Sequence, residues 1–148
     1  MVATIIATVA YKQNSYLLSA DAAVARKNGI EVRPYTSAVQ LQRKSIANES
    51  PSGDDLSELR HLVTDKNELI RARAVSAVAR FGRRDSKVEC IAILKSRLQD
   101  ESDMVRASAL RGIWRIDPVE GKAVAQTTTT IGEADQEAKQ TILASENK

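Results

Sequence analysis

The chain has 148 residues, a net charge of +3 and a pI of about 9.1, the size of one domain that can bury a core without disulfides or metal. Its single cysteine, Cys90, excludes an internal disulfide and a cysteine-rich zinc site, and its single histidine, His61, leaves little for metal or triad chemistry. With one Phe, one Trp and three Tyr, the core must be built from Ala, Val, Leu and Ile, and a mildly basic balance does not by itself diagnose nucleic acid.

The opening "MVATIIATVAY" is apolar but has no basic stretch before it and is far shorter than a membrane span. A cytoplasmic protein with no membrane span is the expectation. "ATIIATVAY" fits a strand or a short helix. "SYLLSADAAVARKNGI" predicts a helix ending at Asn28-Gly29. "EVRPY" is expected to be extended around Pro34, "TSAVQLQRKSIANE" fits one more helix, and "SPSG" at 50–53 is the clearest linker. Residues 1–53 are therefore expected to form an irregular N-terminal arm or cap.

From Asp54 onward the pattern is one of paired helices. "DDLSELRHLVTD" sets Leu56, Leu59, Leu62 and Val63 at helical spacing, with Asp54 or Asp55 as the expected cap and Glu58 close to capping-box distance. After a turn at Asp65–Asn67, a second helix over about 68–81 carries Ile70, Ala74, Val78 and Phe81 on one stripe. Gly82 stands where a helix ends. "KVECIAILKSRLQD" repeats the first helix, with Val88, Ile91, Leu94 and Leu98 as the predicted inward stripe. A helix over about 103–116 repeats the second, with Val105, Ala109, Ile113 and Ile116 inward, and Asp117-Pro118 ends it. A fainter third copy fits residues 118–148. Val119, Ala123, Val124 and Ile131 would face inward on its first helix, "GEAD" would turn, and Ala138, Ile142 and Leu143 would face inward on its second.

"DKNELIRARAVSAVARFG" (65–82) and "DESDMVRASALRGIWRID" (100–117) align at an offset of 35 residues, with Arg71 over Arg106 and Asp65 over Asp100. At about 100° per residue, Arg71 falls on the apolar side of its helix with Ala74, Val75, Val78 and Phe81. Arg106 keeps the same company. A guanidinium on a buried stripe is costly unless it is paired and hydrogen-bonded. Asp65 and Asp100, six residues before each arginine, are the partners the spacing supplies, and in a stack the arginine of one copy can reach the turn of its neighbour.

The pattern D-x5-R-x2-A inside a helix–turn–helix of 33 to 35 residues resembles the HEAT repeat, most closely the short variant of bilin-lyase-like HEAT proteins, over about residues 54–148. The resemblance implies an all-α, right-handed α-solenoid of helical hairpins (54–83, 84–117 and 118–148) behind the N-terminal arm. It carries no functional residues over, because the shared positions are structural.

On the other side of the second helices lie Arg73, Ser76 and Arg80, and in the next copy Ser108, Arg111 and Arg115. In proteins resembling HEAT arrays these helices line the concave surface, so Arg73, Arg80, Arg111 and Arg115, extended by Arg83 and Arg84, form a candidate partner-binding ridge. A solvated arginine face that keeps the helices soluble is the competing reading. Trp114 fits either an anchor for a partner or a core-edge tryptophan. His61 is read as an edge residue and Cys90 as a half-buried thiol. No catalytic or metal site and no cofactor is expected. The expected function is a non-catalytic scaffold or accessory subunit of a multi-subunit assembly, bound through the arm and the basic face. Nucleic-acid binding by a concave basic face and bilin-lyase-like chromophore handling are the alternatives.

Overall fold

The structure, a computed structural model, describes residues 17–145. The strand or short helix expected in "ATIIATVAY" lies outside the described residues. Those described are all-helical, with no strand among them: α1 (17–27), α2 (Val32–Ile46), α3 (Gly53–Leu62), α4 (Glu68–Gly82), α5 (Lys87–Lys95), α6 (Asp103–Ile116), α7 (Pro118–Thr127) and α8 (Glu133–Ala144).

The helix starts follow from short polar side chains that take up backbone N–H groups with no intrahelical partner. Ser52 Oγ accepts from Asp55 N at 3.1 Å, and the Asp55 carboxylate accepts from Ser52 N at 2.7 Å. The cap of α3 is therefore Ser52, with Asp55 closing the box, so the expected caps at Asp54 or Asp55 stand too late. Asn67 opens α4, Ser102 opens α6, and Asp117 with Pro118 at the first helical position opens α7. Gly29 turns the chain after α1 at φ +65°, a left-handed conformation that glycine adopts without strain.

Two helices replace the irregular arm over residues 17–46. "EVRPY" is not extended: Pro34 is the third residue of α2. In the first turn a proline lacks an N–H that would have had no partner, and its ring meets no preceding turn. α2 packs on α4 as broadly as α4 packs on α6 and α6 on α8. The core cluster runs without interruption from Ala25, Tyr35, Ala38 and Leu41 through Leu59, Val75, Phe81 and Leu94 to Ile113, so the boundary expected at residue 53 falls inside one continuous core.

α2, α4, α6 and α8 thus pack in series. α3 and α5 lie against α4, α5 and α7 against α6, and α7 against α8. A second cluster of Ala107, Leu110, Ala125, Ala138 and Ile142 joins α6 to α7 and α8. The inward stripe of α5 is Cys90, Ile93 and Leu94, with Ile91 and Leu98 half-buried, while Val88 is 83% exposed. α5 begins at Lys87, so Val88 projects from its first turn into water. The same correction applies to α7, where Gly121, Val124 and Ala125 face inward while Val119 and Ala123 are exposed. α7 stops at Thr127, which leaves Ile131 exposed in the following turn, and "GEAD" starts α8 instead of forming that turn. On α8, Ala138 and Ile142 are buried but Leu143 is exposed.

Two glycines set helix separations. A methyl group on Gly121 would stand 2.3 Å from Trp114 Cα, so α7 rests directly on the α6 backbone. One on Gly112 would stand 2.9 Å from Ala79 Cβ, so α4 and α6 nearly touch there. Gly121→Ala is expected to lower stability by about 1–3 kcal/mol, the usual cost of overpacking, read as a lower urea midpoint at unchanged slope. Gly53→Ala, whose added methyl meets nothing within 4 Å, should leave the midpoint unchanged or raise it.

Candidate functional site

Arg71 and Arg106 are 4% and 5% exposed. Arg71 Nε donates to Asp100 Oδ2 at 3.0 Å and Nη2 to Asp100 Oδ1 at 3.0 Å, while Nη1 donates to the carbonyls of Asp65 and Lys66 at 2.9 and 3.1 Å. Nη2 also reaches Glu101 Oε1 at 2.9 Å. Arg106 repeats the arrangement: Nε and Nη2 donate to the two Asp135 oxygens at 3.0 and 3.1 Å, and Nη1 to the carbonyls of Asp100 and Glu101 at 2.7 and 3.2 Å. Each fork meets a carboxylate side-on, the strongest geometry available to this pair. The acid six residues before each arginine supplies its carbonyl. The carboxylate comes from the next turn, 29 residues after the arginine.

Asp65 is the exception among the four residues expected to form this ladder. Its carboxylate accepts from Asn67 N at 2.7 Å, and no guanidinium meets it among the described residues. Asp135, which sequence reasoning passed over, is the second acceptor. The equal spacing of 65, 100 and 135 was the signal that could have found it. Burial pushes the Asp135 carboxyl up. The Arg106 guanidinium and the N–H groups of Ile131 and Gly132 outweigh it and hold the group below the usual carboxylate range. The hydrogen bond to Asp135 raises Arg106 in turn, and for Arg71 the pull of Asp100 and Glu101 exceeds the downward push of burial.

With these arginines turned into the seams, the opposite faces of α4 and α6 meet in a groove. It has a volume of about 220 Å³ and is lined by Ser76, Ala79, Arg80, Arg83, Ser108, Arg111 and Arg115. The sequence places these residues in two matching rows. On α4 and its C-cap, arginines follow Ser76 by four and seven positions. On α6, they follow Ser108 by three and seven. Residues at such spacing share one helix face. The near contact of Ala79 and Gly112 brings the two rows together.

Of the six arginines expected on the partner-binding ridge, three are already engaged. Arg73 donates to Gln42 Oε1 at 2.8 Å and lies over the Tyr35 ring at 5.4 Å, which ties α4 to α2. Arg84 donates to the Ser45 carbonyl. Arg111 stands 3.8 Å from Glu137 on α8. Arg80, Arg83 and Arg115 are exposed and have no ion pair or hydrogen bond among the described residues. Arg80 and Arg83, with Arg84, also border a second recess against Ser45 and Ile46 of α2 and Asn48 in the turn after it. Trp114 is half-buried against α7 at Gly121 and lies outside the groove lining. His61 is exposed.

Cys90 is fully buried, not half-buried as its place near a helix start suggested, and burial pushes its thiol up to about 11. Among the described residues no group of His, Cys, Asp and Glu is arranged to hold a metal ion. No described helix is long and apolar enough to cross a membrane. Compared with known proteins, the chain matches no family model, no curated protein and no solved structure.

The carboxyl of Asp135 is depressed in the fold, so the unfolded chain binds its proton more readily in acid. The stability this provides is complete above the ordinary value of 3.8 and is lost as the pH falls through the folded value. Asp135→Asn should cost about 3–5 kcal/mol at neutral pH, as expected when one partner of a buried pair is removed. It should also flatten the acid limb of a stability profile read as urea midpoints from about pH 2 to 7. Cys90 should react with a disulfide reagent only as fast as the fold opens, and at once in denaturing urea.

Proposed function

We propose that the chain is a non-catalytic scaffold or accessory subunit of a larger cytoplasmic assembly. In this reading it is a short right-handed α-solenoid of HEAT-like hairpins that binds a protein partner on the face shared by α2, α4, α6 and α8. The serial packing of those four helices supports the solenoid. So does the recurrence of one arginine–carboxylate arrangement at two seams. With α1 and α2 packed into the core, the binding role expected of an arm falls to residues 1–16 and that of the body to the basic groove.

The observation that carries the reading is the state of Arg80, Arg83 and Arg115. They are cations gathered on one groove lining with no ion pair among the described residues, whereas Arg60, Lys44, Lys87 and Lys95 each hold a carboxylate and Arg26, Lys27 and Arg33, also unpaired, lie outside that lining. Cations gathered without partners favour an acidic one, through steering and charge-assisted hydrogen bonds. Duplex DNA suits the groove less well, because a duplex is gripped by a row of cations along many phosphates. Here Glu137 places a negative charge 3.8 Å from Arg111, while Arg73 and Arg84 are spent on α2.

The test is affinity purification of the tagged full chain from native extract, beside Arg80→Glu/Arg115→Glu and a chain lacking residues 1–16. A protein retained in fixed stoichiometry by the wild type, and lost on charge reversal, is the expected result. A chain that elutes alone, or that binds duplex DNA with a steep salt dependence and retains no protein, would overturn the proposal.

A further inference from the structure

The groove between α4 and α6 holds more than positive charge. Ser76 and Ser108 are half-buried in its lining, and neither hydroxyl makes a hydrogen bond among the described residues. Several hydroxyls elsewhere in the chain behave differently, although those of Ser37 on α2 and Ser57 on α3 are likewise without a hydrogen bond among the described residues. Ser45, Ser96, Thr127, Thr141 and Ser145 all turn their hydroxyls back onto a carbonyl three or four residues earlier. The groove therefore offers two hydroxyl donors and four guanidiniums from its two walls. Its floor is closed by Ala79, which stands against Gly112 with no room for a larger side chain between the helices.

Compensation of the helix dipole accounts for one cation near each helix end, as at Arg80 and Arg115. It does not account for a second arginine on each helix, nor for two hydroxyls without partners facing the same space. A ligand that does account for them has a charge near −2 and several acceptor oxygens pointing in different directions. A phosphoryl group has both properties, with about −1.5 to −2 charges and three strong acceptors, whereas a carboxylate brings one charge and two oxygens in a plane. Guanidinium forks from opposite walls suit phosphate oxygens in bidentate fashion. The small volume admits one such group and not a run of them. The scarcity of aromatics, with Tyr35 already under Arg73, leaves no free ring among the described residues in the groove lining for stacking bases.

We infer that this groove is a receptor for a single phosphorylated side chain of a partner protein, held between the Arg80–Arg83 and Arg111–Arg115 rows with the Ser76 and Ser108 hydroxyls donating to it. The inference rests on the scaffold reading and narrows it to a partner whose docking is switched on by phosphorylation. Arg111 would exchange its 3.8 Å contact with Glu137 for the incoming oxygens.

The experiment uses the full chain and three probes: inorganic phosphate, a short phosphoserine peptide with its unphosphorylated twin, and a DNA duplex of the same fluorophore. In arginine Nε–Hε spectra, phosphate at constant ionic strength should shift Arg80, Arg83, Arg111 and Arg115 saturably and leave Arg26 and Arg33 unmoved. The phosphopeptide should bind at least about tenfold more tightly than its twin, and Arg80→Gln/Arg115→Gln should lose at least about tenfold, as expected for charge-assisted bonds. Ser76→Ala/Ser108→Ala, with all charges in place, should lose a smaller but measurable part. Equal binding of the two peptides, phosphate shifts spread evenly over all exposed arginines, or tighter binding of the duplex would each overturn the inference. A protein partner retained in extract despite phosphatase treatment would refute it while leaving the scaffold reading intact. Phosphopeptide binding with no retained partner would do the reverse.

Discussion

A guanidinium cannot be left alone between packed helices. Arg71 and Arg106 lie almost wholly out of water, and each is satisfied only where the next turn brings a carboxylate beneath it. Sliding one hairpin along its neighbour by a single helical turn would strand both charges. The apolar core mixes small Ala and Val with Leu, Ile and Phe, and the close approaches at Gly112 and Gly121 also resist such a slip. The pairs add a charge penalty to every other register, whatever their net contribution to stability.

The outward face inherits its order from that constraint. Once Arg71 and Arg106 point into the seams, helical geometry sends Ser76, Arg80, Ser108 and Arg115 to the other side. Because both helices obey the same rule, the two rows emerge side by side. Ala79 and Gly112 then decide how near the rows come. Inward charge, small residues at the crossing and outward charge are three layers of one arrangement. The middle layer carries no polar chemistry, yet it sets the width of the groove.

Much of this was legible in the residues, for reasons that differ by element. The stripes of α3, α4 and α6 have strong periodicity and clear punctuation, and the recurring arginine announces itself by standing on an apolar face. α2 was obscured by Pro34, whose effect depends on whether it sits in the first turn or beyond it, and that requires knowing where the helix begins. α5 and α7 are short. In a helix of nine or ten residues two stripes rotated by about 100° fit the apolar positions equally well, so Val88 and Val119 were given the places that belong to Cys90 and Gly121. The groove was visible as a set of residues on one face. That Arg73, Arg84 and Arg111 are engaged while Arg80, Arg83 and Arg115 are not is a matter of reach across helices, which spacing along one helix does not encode.

Asp100 holds a double position that its neighbour Glu101 shares. Its carboxylate receives Arg71 and its main-chain oxygen receives Arg106, so the same turn closes one seam and braces the next. Prising α8 away would take Asp135 from Arg106 and loosen that arginine's grip on the Asp100 carbonyl, and with it the loop on which Arg71 depends. Neighbouring segments are thereby made to share their fate: the molecule has little means of losing its last hairpin quietly, and its denaturation should be concerted where a chain of independently seated helices would fray from the end.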